Sequence, residues 1–507
     1  MKKYRNGVLS AFFGVFQQLI TLVFSLIVPR LFIQSFGSEV NGLLSSLASL
    51  FSYLALLEAG VGTMTIQALY GPIGRKDTTA INEIMSATSY YYKRAGAYYF
   101  IGIIAIAIIY PLTVSTTIPA STIVAVTVFS GIGGVINFWV QGKYLLLFQA
   151  EGKLYLTSIV ATVIYVVQNA MKIVLLKLGY NVIAIYISYF VISLCQMLFY
   201  LCYIRRNYKW LSLKERQNRK VFSQSKSVLI LEIARLICGH TDILVLTYIA
   251  KDLTACSVYA VYSMIFNAVS NMLRTIFGSF SYLLGQTYNN DRSNYLSIHE
   301  KYEAISMSGA FAAYSIAYVL TGPFVRLYTA GITDARYIDP YLPILFTVMK
   351  LLPWAREASG RVIDYARHFN QMKWRAVLEA AINLVASIIL VVSFGIYGVV
   401  LGTIVAYLWR VNNMITYANK VILKRKLWKT YRRIITNVCC FTGVYVINQH
   451  INLQAPNLMS FFLIALVCGT AICFLYCVQL ACFERESTKF LLHSLEAVLR
   501  KRKHNPV

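Results

Sequence analysis

AGAYYFIGIIAIAIIYPLTVS, residues 95–115, and PASTIVAVTVFSGIGGVINFWVQ, residues 119–141, contain no charged side chain. Only Thr116, Thr117 and Ile118 separate the two runs. Each is as long as the helix of about 20 residues that crosses a hydrocarbon core. In lipid the backbone must satisfy its own hydrogen bonds, so both runs are predicted to be helical. Outward from this pair the pattern recurs along all 507 residues. It predicts spans at 8–33, 41–66, 95–115, 119–141, 154–176, 182–203, 227–250, 255–286, 304–328, 340–363, 376–394, 397–418, 434–449 and 458–482. The fold class is therefore an all-α polytopic membrane protein with about 14 transmembrane helices.

Composition agrees. Hydrophobic residues make up 58% and charged residues 13%, against about 25% charged in a soluble domain. The formal net charge is +27, which in a soluble protein would suggest nucleic acid. Its distribution gives a different reading. Fourteen spans put both termini on one side, and that side collects 35 of the 47 Lys and Arg, against three (Lys177, Lys251 and Arg336) opposite. Such a split is the positive-inside signature, and it places both termini in the cytoplasm with no nucleic-acid partner required. Lys424-Arg425-Lys426 and Arg500-Lys501-Arg502-Lys503 read as topology determinants that also touch anionic lipid heads. Outer loops of about a dozen residues or fewer leave no room for a folded external domain. The long inner connection 67–94 is predicted to hold a surface helix at 81–92, with Tyr90, Tyr91 and Tyr92 at the membrane interface.

The start, Met1-Lys2-Lys3-Tyr4-Arg5, has the charge of a signal n-region. The apolar stretch behind it is too long and carries Gln17 and Gln18, so it is expected to remain as the first span. Ten cysteines show neither a CxxC pair nor a Cys–His cluster and read as small buried hydrophobes. No metal site, cofactor or catalytic constellation is apparent, and the chain is not expected to be an enzyme. Residues 8–66 echo residues 227–286 as span, short turn and long span, with Val40–Leu43 set against Cys256–Tyr259. The organisation predicted is an N-lobe of six spans (1–204), a basic cytoplasmic linker (205–226), a C-lobe of six spans (227–420), and two further spans with a basic tail (421–507).

Charges inside spans are costly, at least about 2.5–3.5 kcal/mol each near the bilayer centre, and need a partner or a hydrated cavity. Nine bases and five acids lie within the spans. Glu232, Arg235, Gly239 and Asp242 share one helix face, as do Asn267, Asn271, Arg274 and Gly278. Lys350, Glu357 and Arg361 line up in a span that Pro353 should kink. Gln17 and Gln18 belong to a polar side of the first span. Arg235, Arg274 and Arg361, then Arg410 and Arg30, are the candidate phosphate contacts, since a guanidinium matches phosphate oxygens with a fork of donors. Arg30, Lys172, Arg326 and Arg361 lie where snorkelling would also serve them, and Glu232–Arg235 would also serve as a structural ion pair. Asn267, Asn271, Gln17 and Gln18 are candidate sugar contacts. Asp242 and Glu58 are candidate carriers of a coupling proton or sodium ion, and Glu58 would equally serve the Gly60–Gly62 turn.

Pro29-Arg30-Leu31, Phe36-Gly37-Ser38-Glu39-Val40-Asn41-Gly42-Leu43 and Leu57-Glu58-Ala59-Gly60-Val61-Gly62 together resemble the polysaccharide or O-antigen flippase family. That family belongs to the multidrug/oligosaccharidyl-lipid/polysaccharide (MOP) exporter superfamily, with the lipid II flippases and the multidrug-and-toxin exporters. The resemblance implies two six-helix lobes around a central cavity plus two C-terminal helices. It further implies alternating-access transfer of undecaprenyl-pyrophosphate-linked oligosaccharide across a bacterial cytoplasmic (inner) membrane. Its implied partners are that substrate, membrane lipids, Na+ or H+, and other polysaccharide-assembly proteins. The motif residues Glu39, Asn41, Glu58 and Gly60 read as fold elements rather than ligands. The alternative within the superfamily is a drug exporter coupled to an ion gradient. No acidic pair equivalent to a drug exporter's cation site is evident.

Overall fold

The computed structural model describes residues 2–58, 61–215, 225–278, 280, 284–285, 287–288, 292–366, 368–451 and 453–490. Gly60 and the basic run Arg500–Lys503 lie outside the described residues, as do residues 216–224 of the predicted linker. The protein is 87% helical, with no strand among the described residues. In chain order the helices are α1 (Lys2–Phe36), α2 (Ser38–Leu54), α3 (Val61–Arg75), α4 (Thr78–Thr113), α5 (Ala120–Ile136) and α6 (Gly142–Ala150). Then follow α7 (Leu154–Lys177), α8 (Val182–Asn207), α9 (Ser225–Tyr248), α10 (Leu253–Gly278) and α11 (Arg292–Tyr328). The last are α12 (Leu342–Ala355), α13 (Glu357–Tyr365), α14 (Phe369–Tyr417), α15 (Trp428–His450) and α16 (Leu458–Phe483).

Each of the fourteen predicted spans, among the described residues, coincides for most of its length with helix. Among the described residues, nine helices are long and apolar enough to cross a membrane, so this is a multi-pass membrane protein. One of the nine, Asn370–Leu423, has 54 residues and carries two predicted spans. At about 1.5 Å per residue it would be more than twice too long for a single crossing. It folds back at Gly395, whose φ of 53° and ψ of −128° interrupt the helix. Positive φ of this kind is the region glycine enters without a Cβ clash. Across the fold-back, Asn383 Nδ2 donates to Thr403 Oγ1 at 2.7 Å. The tenth predicted span breaks at Arg356 into α12 and α13, just past Pro353, as the proline foretells. The first, seventh, tenth and thirteenth predicted spans fall outside the nine; the seventh carries Glu232, Arg235 and Asp242 within its helix, and the tenth is the one broken at Arg356.

By packing, the chain divides into two compact units, residues 1–260 and 261–507, and the division falls inside α10. In the first unit α1 packs on α7 and α2, α5 bridges α4 and α8, and α3 lies against α4 and α6. Tyr92, Tyr99 and Phe138 form one apolar core; Leu147, Phe148 and Tyr200 belong to another. The predicted surface helix at 81–92 is instead the beginning of the 36-residue α4. Asp77 caps it by accepting from Ala80 N at 3.0 Å, and no proline follows until Pro111. Tyr92 is fully buried and Tyr91 donates to the Leu57 carbonyl, which leaves Tyr90 as the exposed member of the cluster. Glu39 holds the α4–α5 turn by accepting from Thr116 Oγ1 at 2.7 Å and Thr117 N at 2.8 Å.

In the second unit α11 packs against α12, α13, α15 and α16. A buried polar network at its basic end ties the two C-terminal helices to it. Glu303, 1% exposed, accepts from Arg425 at 2.7 Å, from Thr430 at 2.9 Å and from Arg433. Glu484 accepts from Arg432 and Arg433, each at 2.7 Å. Arg425 therefore turns inward to a carboxylate instead of touching lipid heads, because a guanidinium beside a buried glutamate relieves both of an unpaired charge.

Candidate functional site

Three polar pairs join α2 to α9 and to the first turns of α10, and a fourth joins α9 to α10, all inside the first unit. Asn41 Nδ2 donates to Ser257 Oγ at 2.7 Å, and Thr247 Oγ1 donates to Ser46 Oγ at 2.9 Å. Thr247 and Cys256 lie 3.3 Å apart, and Tyr53 and Thr241 hydroxyls 2.8 Å apart. Asn41 and Ser257 are equivalent positions in the internal echo of 8–66 and 227–286, so a residue meets its own counterpart there. Gly42 makes the approach possible: a Cβ on it would lie 1.8 Å from the Leu253 carbonyl oxygen. One turn deeper, Asp242 is buried and accepts from Tyr259 OH at 2.6 Å.

The candidate cations are held in different ways. Arg235 pairs with Glu232 on an exposed face of α9, its side chain 67% exposed. Arg361 pairs with Glu357 at 2.8 Å, one turn earlier on α13. Arg410 is buried, 3.1 Å from Glu379, and that carboxylate also meets Arg356 at 3.0 Å. Two guanidiniums thus share one buried carboxylate, which makes Arg410 part of the α12–α14 packing. Arg274 is exposed and lies one turn before Gly278 on α10. Arg30 is half-buried in α1.

Asn267 accepts from Lys350 Nζ at 2.8 Å, a link between α10 and α12. Asn271 is exposed on the same stripe as Asn267 and Arg274, while Phe266, Ser270, Leu273 and Phe277 bury the opposite face of α10. Gln17 is half-buried and its carbonyl accepts from Thr21 at 2.9 Å; the Gln18 side chain lies outside the described residues. Glu58 accepts from Tyr92 OH and sits by Gly62, the turn-serving role. The structure therefore brings Asn267, Asn271 and Arg274 onto one open face, and keeps Arg410, Glu58 and Asp242 in packed surroundings. Lys350 is the residue that ranking by arginine passes over. Its signal was present: a mid-span lysine with no acid three or four positions away on its own helix.

A membrane helix that turns amides and a guanidinium away from its packed side needs water there, because facing lipid with them is costly. The class defined by this architecture is the polytopic α-helical membrane protein. More particularly, the chain shares its fold with several solved membrane proteins. It is similar over 94% of its length to 99% of a lipid II flippase, MurJ, in an inward closed conformation, with a TM-score of 0.65 and 12% identity. It is also similar to an inward-facing multidrug resistance MATE family transporter of the MOP superfamily, over 82% of this chain and 99% of that one, with a TM-score of 0.63 and 15% identity. A MATE multidrug transporter, DinF-BH, aligns over 83% of this chain and 95% of its own, with a TM-score of 0.56 and 14% identity. No family model matches the sequence, and no curated protein matches it.

Proposed function

We propose that this protein is a flippase that moves undecaprenyl-pyrophosphate-linked oligosaccharide from the inner to the outer leaflet of a bacterial cytoplasmic membrane, by alternating access, for surface polysaccharide export. One observation carries the reading: the fold of a lipid flippase matches nearly the whole chain, whereas the MATE folds leave a share of about the size of residues 421–507 unmatched. The charge inside the spans agrees, with nine bases against five acids. A path for organic cations would favour the opposite sign.

In this reading the prenyl tail stays in lipid and only the headgroup crosses. The open stripe of α10, with Asn267, Asn271 and Arg274, offers it amide and guanidinium donors. Lys350, Arg361 and Arg235 supply further positive charge, and the α2 contact with α9 and α10 serves as the outer gate. The ion-coupled drug exporter is the second reading, favoured by buried Asp242 with its tyrosine partner, a group able to carry a proton. Both termini are cytoplasmic in either case.

The test is reconstitution in liposomes with a fluorescent prenyl-pyrophosphoryl saccharide, beside efflux of an organic cation. Arg274→Ala and Lys350→Ala should each abolish saccharide flipping while expression and melting temperature stay near wild type. Arg274→Lys should retain part of the rate, because charge survives and the fork does not. Wild-type rates in both alanine variants sink the cationic path. Cation efflux without saccharide flipping selects the exporter.

A further inference from the structure

At the end of the second unit away from the Glu303 network lies a cavity of about 520 Å³. That volume is within the range of small-molecule sites, about 300–1,000 Å³. It opens among Tyr318 and Arg326 of α11, Arg336 of the segment before α12, and Asn448, Gln449 and His450 at the end of α15. Arg326 stands 23 residues beyond Glu303 on the same helix, a rise of about 35 Å, or one membrane thickness. On the topology proposed above, this is the outer face.

The cavity walls are held in place. Tyr262 OH donates to the Tyr337 carbonyl at 2.9 Å. Asp339, a further lining residue, accepts from Tyr341 N at 2.8 Å, Leu342 N at 2.9 Å and Tyr397 OH. Its carboxylate is engaged with these donors. Neither Arg326 nor Arg336 forms an ion pair among the described residues, and both are exposed. Two guanidiniums against one carboxylate leave a positive surplus, with amide donors from Asn448 and Gln449 beside it. Arg326 and His450 end their helices, where a cation also offsets the helix dipole. Arg336 belongs to no helix, so the dipole does not account for it.

We infer that this cavity binds the phosphate head group of a lipid in the outer leaflet. Guanidinium forks bond phosphate oxygens in pairs, amides reach the ester or hydroxyl groups, and the membrane-level opening admits a lipid whose tails stay outside. The site is distinct from the α10 stripe and does not depend on what the protein transports.

The test uses the full-length protein in detergent, titrated separately with phosphatidylglycerol, a prenyl pyrophosphate and zwitterionic phosphatidylcholine, with bound lipid read by native mass spectrometry. Wild type should hold a phosphate-anionic lipid in preference to phosphatidylcholine. Arg326→Gln with Arg336→Gln should weaken that binding by about tenfold or more. Lys177→Gln removes the same charge from another outer position and should leave it unchanged. Retention of phosphatidylglycerol identifies a resident phospholipid; retention of the prenyl pyrophosphate alone identifies an exit subsite for cargo. Equal binding of all three lipids by wild type, or undiminished binding in the double variant, overturns the proposal. If the double variant melts early without lipid, Arg336→Gln alone, on its exposed segment, decides by the same criterion. The readout involves no transport, so a failed flipping assay and a failed lipid assay remain separate results.

Discussion

Gly42→Ala is the sharpest test of the polar zipper on α2. The added Cβ would stand 1.8 Å from the Leu253 carbonyl oxygen, where ordinary contact begins near 3.4 Å. Backbone faces backbone, so no side chain can rotate aside, and the first turn of α10 must retreat by about 1.6 Å. That shift would stretch the 2.7 Å Asn41–Ser257 bond past hydrogen-bonding distance. Overpacking costs about 1–3 kcal/mol, and the lost bond about 1 kcal/mol more. A total near 3 kcal/mol shifts the equilibrium of the contact by roughly a hundredfold. Asn41→Cys with Ser257→Cys, in a Cys256→Ser background, reports this directly through the yield of oxidised crosslink in membranes. With Gly42 present the pair should close readily; with Gly42→Ala the yield should collapse. Equal crosslinking rates in the two backgrounds would refute the argument that Gly42 sets the approach.

Three further outcomes follow from the same geometry. In intact cells, an impermeant thiol reagent should modify a cysteine placed at Asn457 but not one at Gln217, and the opposite pattern would invert the topology. Glu303→Ala leaves Arg425 and Arg433 without their shared carboxylate and should cost about 3–5 kcal/mol, seen as a lower melting temperature in detergent. An unchanged melting temperature would mean that the network does not hold the C-terminal helices. Glu484 lies just past α16, and burial alone would raise its pKa. Hydrogen bonds and charge from Arg433 and then Arg432 outweigh that and hold it below the usual 4.5. Its stabilisation is therefore present above that value and lost as pH falls below it. Thermal melts between pH 7 and 4 should be flatter in Glu484→Gln, and parallel curves would count against the assignment.

Much of the fold was legible because lipid imposes simple rules. Apolar run length marks the long membrane-crossing helices, though not the short α6 between two predicted spans, and Pro353 marks the break before α13. The tyrosines at 90–92 misled because tyrosine suits an interface and a packed helix equally; only the cap at Asp77 and the absence of a breaker distinguish the two. Charge partners were less legible. Arg235–Glu232 and Arg361–Glu357 follow from helical spacing, whereas Arg410–Glu379 crosses the fold-back of α14 and Arg425–Glu303 joins the segment before α15 to α11, and no periodicity announces them.

The fold-back at Gly395 bears on how the chain enters the membrane during synthesis. Its two arms are joined by almost no loop, so the insertion machinery finds no hydrophilic stretch there on which to pause. The Asn383–Thr403 bond pairs the amide nitrogen with a hydroxyl within the hairpin, so the arms are better sheltered as a pair than singly. Such a unit should leave the translocon in one step. Its orientation would then be dictated by the basic residues flanking both ends, Lys373 and Arg375 before it and the 419–433 cluster after it. Lengthening the turn at Gly395 would uncouple the arms and give each an orientation to choose for itself.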